Sequence, residues 1–326
     1  MPQQQQKKKK RRSKPTKRAG TQDRTVEVAY LVLAGQFREL MSNEAGARAD
    51  RKARPLHDMR VATRRLRTAL RVFAVALPPG RVKTARSQLK WIGKGLGPAR
   101  DLDVQIARLR KGFLPDGRAE RRAKRGFAGW LSQRRSEART RMLAVLDSGR
   151  FGRFAAGFAR FLRKGPPRNP RTRAARRPVG SLAAELIPER LETVLRAGRE
   201  MTHCRRAADL HRFRLECKRA RYLCEFLRGI YGAPAERTIA RLTAVQNALG
   251  SLQDSLVGQA LLAGFTGLTG EAGGALAADE RACYSLAAWY LQAAEQSRRA
   301  FAPAWREFEK PGHRRELLGA VGRNGG

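Results

Sequence analysis

The sequence predicts an all-α protein in which two helical bundles of similar build follow one another along the chain. Three observations predict it. Apolar residues recur at three- and four-residue intervals from about Thr25 onward, alternating apolar runs bounded by turn residues are absent, and two motifs each occur twice in the same order. The chain has 326 residues, long for one ordinary core, and 42% of them are hydrophobic, enough to fill two.

In chain order, the opening MPQQQQKKKKRRSKPTKR carries nine basic residues and no acid, so residues 1–23 read as a disordered tail whose charges repel. A first bundle is expected over 24–165. Val28, Leu31, Val32, Phe37 and Leu40 mark its first helix, and the stretch from Leu56 to Phe73 another. Turn residues in LPPG (77–80) and GLGP (95–98) predict helix ends there. RKGPPRNPRTRAARRP, with no apolar period, predicts a solvated basic linker over 166–180. A second bundle is expected over 181–322, opening with Leu182, Leu186, Leu191 and Leu195 and interrupted at GAPA, 232–235.

The net charge of +41 is not confined to the tail, because +32 remains when those nine charges are set aside. A folded body this basic repels itself unless an anionic partner neutralises it, and a phosphate-rich ligand is the first expectation. Cys204, Cys217, Cys224 and Cys283 show no C-x-x-C spacing, so the sequence indicates neither a zinc site nor a disulfide framework; Cys217 and Cys224 fall in an apolar helical stripe and read as core. With no apolar segment after the basic run and no span of 18 apolar residues, the expectation is a cytoplasmic protein without a membrane partner.

The repeat is specific. LHDMRVATRRLRTAL (56–70) aligns with LHRFRLECKRARYLC (210–224), both obeying L-H-x2-R-x3-[RK]-R-x-R. Downstream, LKWIGKGLGPARD (89–101) aligns with LTAVQNALGSLQD (242–254), both obeying L-x6-L-G-x3-D. Offsets of 154 and 153 residues, with order preserved, are what an internally duplicated unit leaves behind.

On a helix, His57, Arg60, Arg64, Arg67 and Arg71 form one stripe, and Leu56, Met59, Thr63, Leu66, Leu70 and Phe73 an apolar stripe beside it. In the second copy His211, Arg214, Lys218 and Arg221 lie beside Leu210, Phe213, Cys217, Ala220, Cys224 and Leu227. Between 54 and 94 there are eleven Lys/Arg and one acid, Asp58, so these core-edge cations are expected to take their counter-charge from a ligand. Arginine suits phosphate because its planar fork matches two oxygens and keeps its charge at any biological pH. Lys90 and Lys94 are placed to line a facing wall and Arg100 to close its end. The two histidines read as donors to the same anion or as organisers of the arginines. In the G-x3-D motif, Gly97 and Gly250 are expected to end one helix, with Asp101 and Asp254 in the first turn of the next. Asp101 and Asp103 point to different helix sides, and GKGLG lacks P-loop spacing, so no metal or cofactor is expected. His203 and His313 have no comparable context.

These motifs resemble the conserved histidine α-helical domain (CHAD) family through LHDMRVATRRLRTALRVF, LGPARDLDVQ, LHRFRLECKRARYLCEFL and VQNALGSLQDSL, across roughly residues 25–320. The resemblance implies two pseudo-symmetric four-helix bundles, a basic cleft or pore, and binding of inorganic polyphosphate, with granule association in some members. By position it implies His57, Arg60, Arg64, Arg65, Arg67, His211, Arg214, Lys218, Arg219, Arg221 and Tyr222 as ligand residues. No E-x-E-x-K signature of an attached triphosphate-processing domain is present, so no enzymatic activity is carried over. Asn247 stands where the first half has Lys94, which departs from strict symmetry. The alternative is a non-specific nucleic-acid binder, the basic tail included, because phosphate polymers share their charge. Against it, few aromatic residues interleave the stripes for base stacking. A phosphotransferase using His57 or His211 as phosphoacceptor is a third reading, weakened by the lack of evident metal ligands or a nucleotide loop.

Overall fold

The computed structural model describes residues 19–201, 207–270 and 277–323. His203 and Cys204 lie outside them. The described residues are helical almost throughout: α1 Thr25–Ser42, α2 Glu44–Ala49, α3 Ala53–Val72, α4 Pro79–Gly112, α5 Arg118–Asp147, α6 Gly149–Arg163, α7 Arg173–Arg176, α8 Val179–Met201, α9 Ala207–Gly270, α10 Ala277–Glu309 and α11 Gly312–Gly322. Among the described residues, extended pairing is limited to an isolated bridge between Arg24 and Pro178. The all-α reading holds.

Helix α3 follows its sequence closely. Leu56, Met59, Thr63, Leu66 and Leu70 are buried, and Pro55 falls in the first turn, where no intrahelical N–H is required of it. The expected ends at LPPG and GAPA are present. Pro79 opens α4, and Gly232 breaks α9 with φ 51°, a left-handed value that glycine adopts without steric penalty.

GLGP does not end a helix. Helix α4 runs unbroken through Pro98, as α9 runs through Gly250. Leu89, Ile92, Leu96, Ala99, Leu102, Ile106 and Leu109 carry one apolar stripe past the proline. Pro98 itself is exposed, so the carbonyl deprived of its helical partner can turn to water. A proline in a helix interior costs about 3 kcal/mol, and burying several large side chains along the stripe outweighs it.

The stretch from 164 to 178 is not solvated throughout. Arg177 C=O accepts from both Thr25 N–H and Thr25 Oγ1 at 2.9 Å. Val179 N–H donates to Asp23 C=O at 2.9 Å, and Gly180 N–H to Thr21 C=O at 3.0 Å. Pro170 and Ala175 are buried. Residues 19–23, expected in the tail, are thus the other strand of a clip. Backbone hydrogen bonds hold this segment where side-chain hydrophobicity could not, which is why composition hides it.

The two halves share a single buried cluster. Ring pairs cross between them: Phe73 with Phe226 at 6.5 Å, Phe113 with Trp289 at 5.9 Å and Phe127 with Phe265 at 5.5 Å between centroids. Gln105 Nε2 donates to Asp254 C=O at 2.8 Å, and Arg108 donates to Ser251 C=O at 3.0 Å and to Ser255 Oγ at 2.6 Å. Cys217, Cys224 and Cys283 are buried core residues. Burial pushes the Cys224 thiol up to about 12, and Cys217 further still, so both stay protonated and unreactive.

Candidate functional site

Helix α3 and the first part of α9 lie side by side, which brings the two basic stripes together. Arg64 Nε donates to Tyr222 Oη at 2.7 Å. Tyr222 is buried, and three guanidiniums surround its ring: Arg64 and Arg65 at 5.7 Å and Arg221 at 5.0 Å from the centroid, all within cation–π range.

Lys218 sits at the centre. Burial first, then the charges of Arg64, Arg214, Arg60 and Arg221, push its ammonium down to about 6. Arg214 is held below the ordinary guanidinium range by burial and by Arg64 and Arg60, with Asp254 opposing. His57 is exposed at the rim, yet crowding of its ring and the charges of Arg100, Arg64 and Arg60 hold it below the usual histidine range. The structure therefore groups His57, Arg60, Arg64, Arg100, Arg214, Lys218 and Arg221 around one spot, with Arg65 and Tyr222 flanking it.

The stripe continues into a second cationic group. Arg67 is held low by burial and by Arg86, and Arg71 by desolvation and then by Arg219, Arg86, Arg67 and Arg190. Arg86 and Arg190 belong to α4 and α8, and no repeat signal marked them. Lys90 and Lys94 are exposed on α4, and His211 is exposed near the start of α9. Asn247 is likewise exposed.

The expectation that no carboxylate meets these cations is corrected. Arg60 forms a two-point pair with Asp101, at 2.5 and 3.3 Å. Glu225 takes Arg65 and Arg221, each at 2.9 Å. Glu216 pairs with Arg219 and, at 3.5 Å, with Arg190. Arg100 reaches Asp103 at 4.0 Å, and Asp103 accepts from Arg135 Nε at 2.7 Å. Most of these acids come from other elements or the other half, so a count within 54–94 could not see them.

The two repeated motifs prove to be parts of one arrangement. A Cβ on Gly97 would lie 3.9 Å from Arg60, and one on Gly250 would lie 3.3 Å from Arg214. In each half, the arginine of H-x2-R thus lies over the glycine of L-G-x3-D, beside its aspartate. Asp101 pairs with Arg60 directly, while Asp254 faces Arg214 and is raised by burial and by the nearby charge of Asp101. The helix-capping role expected of these aspartates is replaced by this one.

The family model for the CHAD domain matches residues 31–263, most of the chain and both motif pairs. The chain belongs to the CHAD domain family. Two solved structures share the fold. The CHAD domain from the plant Ricinus communis matches with 24% identity and a TM-score of 0.64, over 94% of this chain and 93% of that one. PptA from Streptomyces chartreusis matches with 21% identity and a TM-score of 0.66, over 87% of this chain and 100% of that one. No curated protein matches. Within this CHAD chain the arginine-ringed spot draws on two halves of the sequence. No described helix is long and apolar enough to cross a membrane.

Proposed function

We propose that this CHAD protein is a non-enzymatic binder of inorganic polyphosphate. One observation carries the reading: four arginines, two from each half, crowd around Lys218. Such a cluster is self-repelling when empty, and a polymer with a negative charge on every repeat relieves it along its whole length. Guanidinium forks suit phosphate oxygens, and the second group around Arg67, Arg71, Arg86, Arg190 and Arg219 extends the same grip along α3. Membership of the CHAD family supports the ligand class. The same contacts would hold the protein to polymer packed in granules.

The test is competition at physiological salt between labelled polyphosphate and unlabelled duplex DNA or RNA, using protein lacking residues 1–18. Polyphosphate is expected to displace the label at far lower phosphate concentration. Equal displacement would assign the basic surface to nucleic acids in general. Arg64→Ala with Lys218→Ala is expected to cost more affinity than removing the nine tail charges. Incubation with polyphosphate and Mg²⁺ is expected to release no phosphate; turnover abolished by His57→Ala would replace the binder with an enzyme.

A further inference from the structure

The position of Lys218 has a consequence for how the site binds, resting on the polyphosphate reading. On α9 Lys218 lies one helical turn from Arg214, Arg221 and Tyr222. From α3, Arg64 Nε donates to that same Tyr222 at 2.7 Å, which sets Arg64, with Arg60 one turn before it, against Lys218. The acids nearby are engaged: Asp101 holds Arg60, Glu225 holds Arg65 and Arg221, and Asp254, itself largely buried, faces Arg214. Arg100 adds positive potential at the rim, and it helps hold His57 below the usual histidine range. Five cations gathered on two adjacent helices exceed what these three carboxylates, one of them shared with Arg65, can balance. The arginines cannot release a proton, whereas a lysine can.

We infer that Lys218 stands in the empty site as an uncharged amine and that an arriving polyanion charges it, so that binding takes up a proton. The amine draws that proton from solvent and becomes an ammonium donating three hydrogen bonds to the phosphate oxygens. The empty site is spared one charge, and the occupied site gains it where the ligand supplies the compensation. The depressed affinity of Lys218 for protons, about 6 in the empty protein, agrees with this assignment. Linkage sets the sign: where the complex holds one proton more than the empty protein, affinity rises as pH falls, by up to about tenfold per pH unit.

The experiment is calorimetric titration of the full chain with long-chain polyphosphate at pH 7.5–8.5, repeated in buffers of different ionisation enthalpy. Internal phosphates of a long chain do not titrate in this range, so the buffer dependence counts protons taken up by the protein. About one proton per bound site is expected for the wild type and for His57→Gln, which removes the rim imidazole. None is expected for Lys218→Met or Lys218→Arg, each checked for native helicity by circular dichroism. Tight binding with no proton uptake in the wild type would overturn the inference and leave the ligand assignment standing. So would undiminished uptake in Lys218→Met. Absence of polyphosphate binding at any pH would overturn the ligand assignment and this inference with it.

Discussion

Arg64 and Tyr222, 158 residues apart in sequence, meet at 2.7 Å, the arginine donating to the phenol oxygen. The bond fixes one guanidinium of the first repeat against the helix of the second. Tyr222→Phe keeps the ring and removes only that acceptor. It is expected to cost about 1 kcal/mol in urea unfolding, and to weaken polyphosphate binding about three- to tenfold, because Arg64 would lose its set direction.

On the polyphosphate reading, the pair of Arg60 with Asp101 would compete with the ligand for the same guanidinium. The Asp101 side chain is 56% exposed, so the pair contributes little to stability. Asp101→Asn is therefore expected to leave the melting temperature within a degree or two while tightening polyphosphate binding several-fold. Weaker binding after this change would show that Asp101 orients Arg60 rather than restrains it.

Glu225 acts differently. It is mostly buried and takes Arg65 from the first half and Arg221 from the second. Glu225→Gln leaves two guanidiniums facing a neutral amide and is expected to destabilise the fold by roughly 2 kcal/mol. Denaturant unfolding measures it directly.

Lys218 costs the empty fold stability. Its proton affinity is lower folded than unfolded, so the penalty is absent above the ordinary lysine value, grows as pH falls, and is complete below about 6. At pH 7 Lys218→Met is expected to raise the melting temperature by a few degrees while weakening polyphosphate binding. That opposition marks a residue kept for binding.

His313 is buried against Phe308, with ring centroids 5.3 Å apart, and burial, then Arg241 and Arg314, push it down to about 4. The unfolded chain binds this proton more readily, so stability is expected to fall as pH drops from about 6.5 to 4 and then to level off on this account. His313→Phe should flatten that part of the pH–stability profile.

Helix α3 was legible in the sequence because helical spacing alone assigns Met59 and Leu66 to the core and Arg60, Arg64 and Arg67 to its edge. The pairing of the repeats was legible as a pattern, and Gly232 as a break. Pro98 was not, because a local helix breaker is overruled by an apolar stripe that packs on both sides of it. Nor was the hold of Glu225 on Arg65, since a partner 160 positions away is set by how helices pack and not by the spacing on either one. The clip joining Asp23 to Val179 is made of backbone atoms, which carry no residue signature at all.

The shared core also bears on how the chain is made. When the first half has left the ribosome, Phe73, Phe113 and Phe127 still lack Phe226, Trp289 and Phe265, the rings they lie against in the finished molecule. What is a tandem repeat on paper is, during synthesis, a half-built object with an oily flank. That flank stays uncovered until its twin emerges.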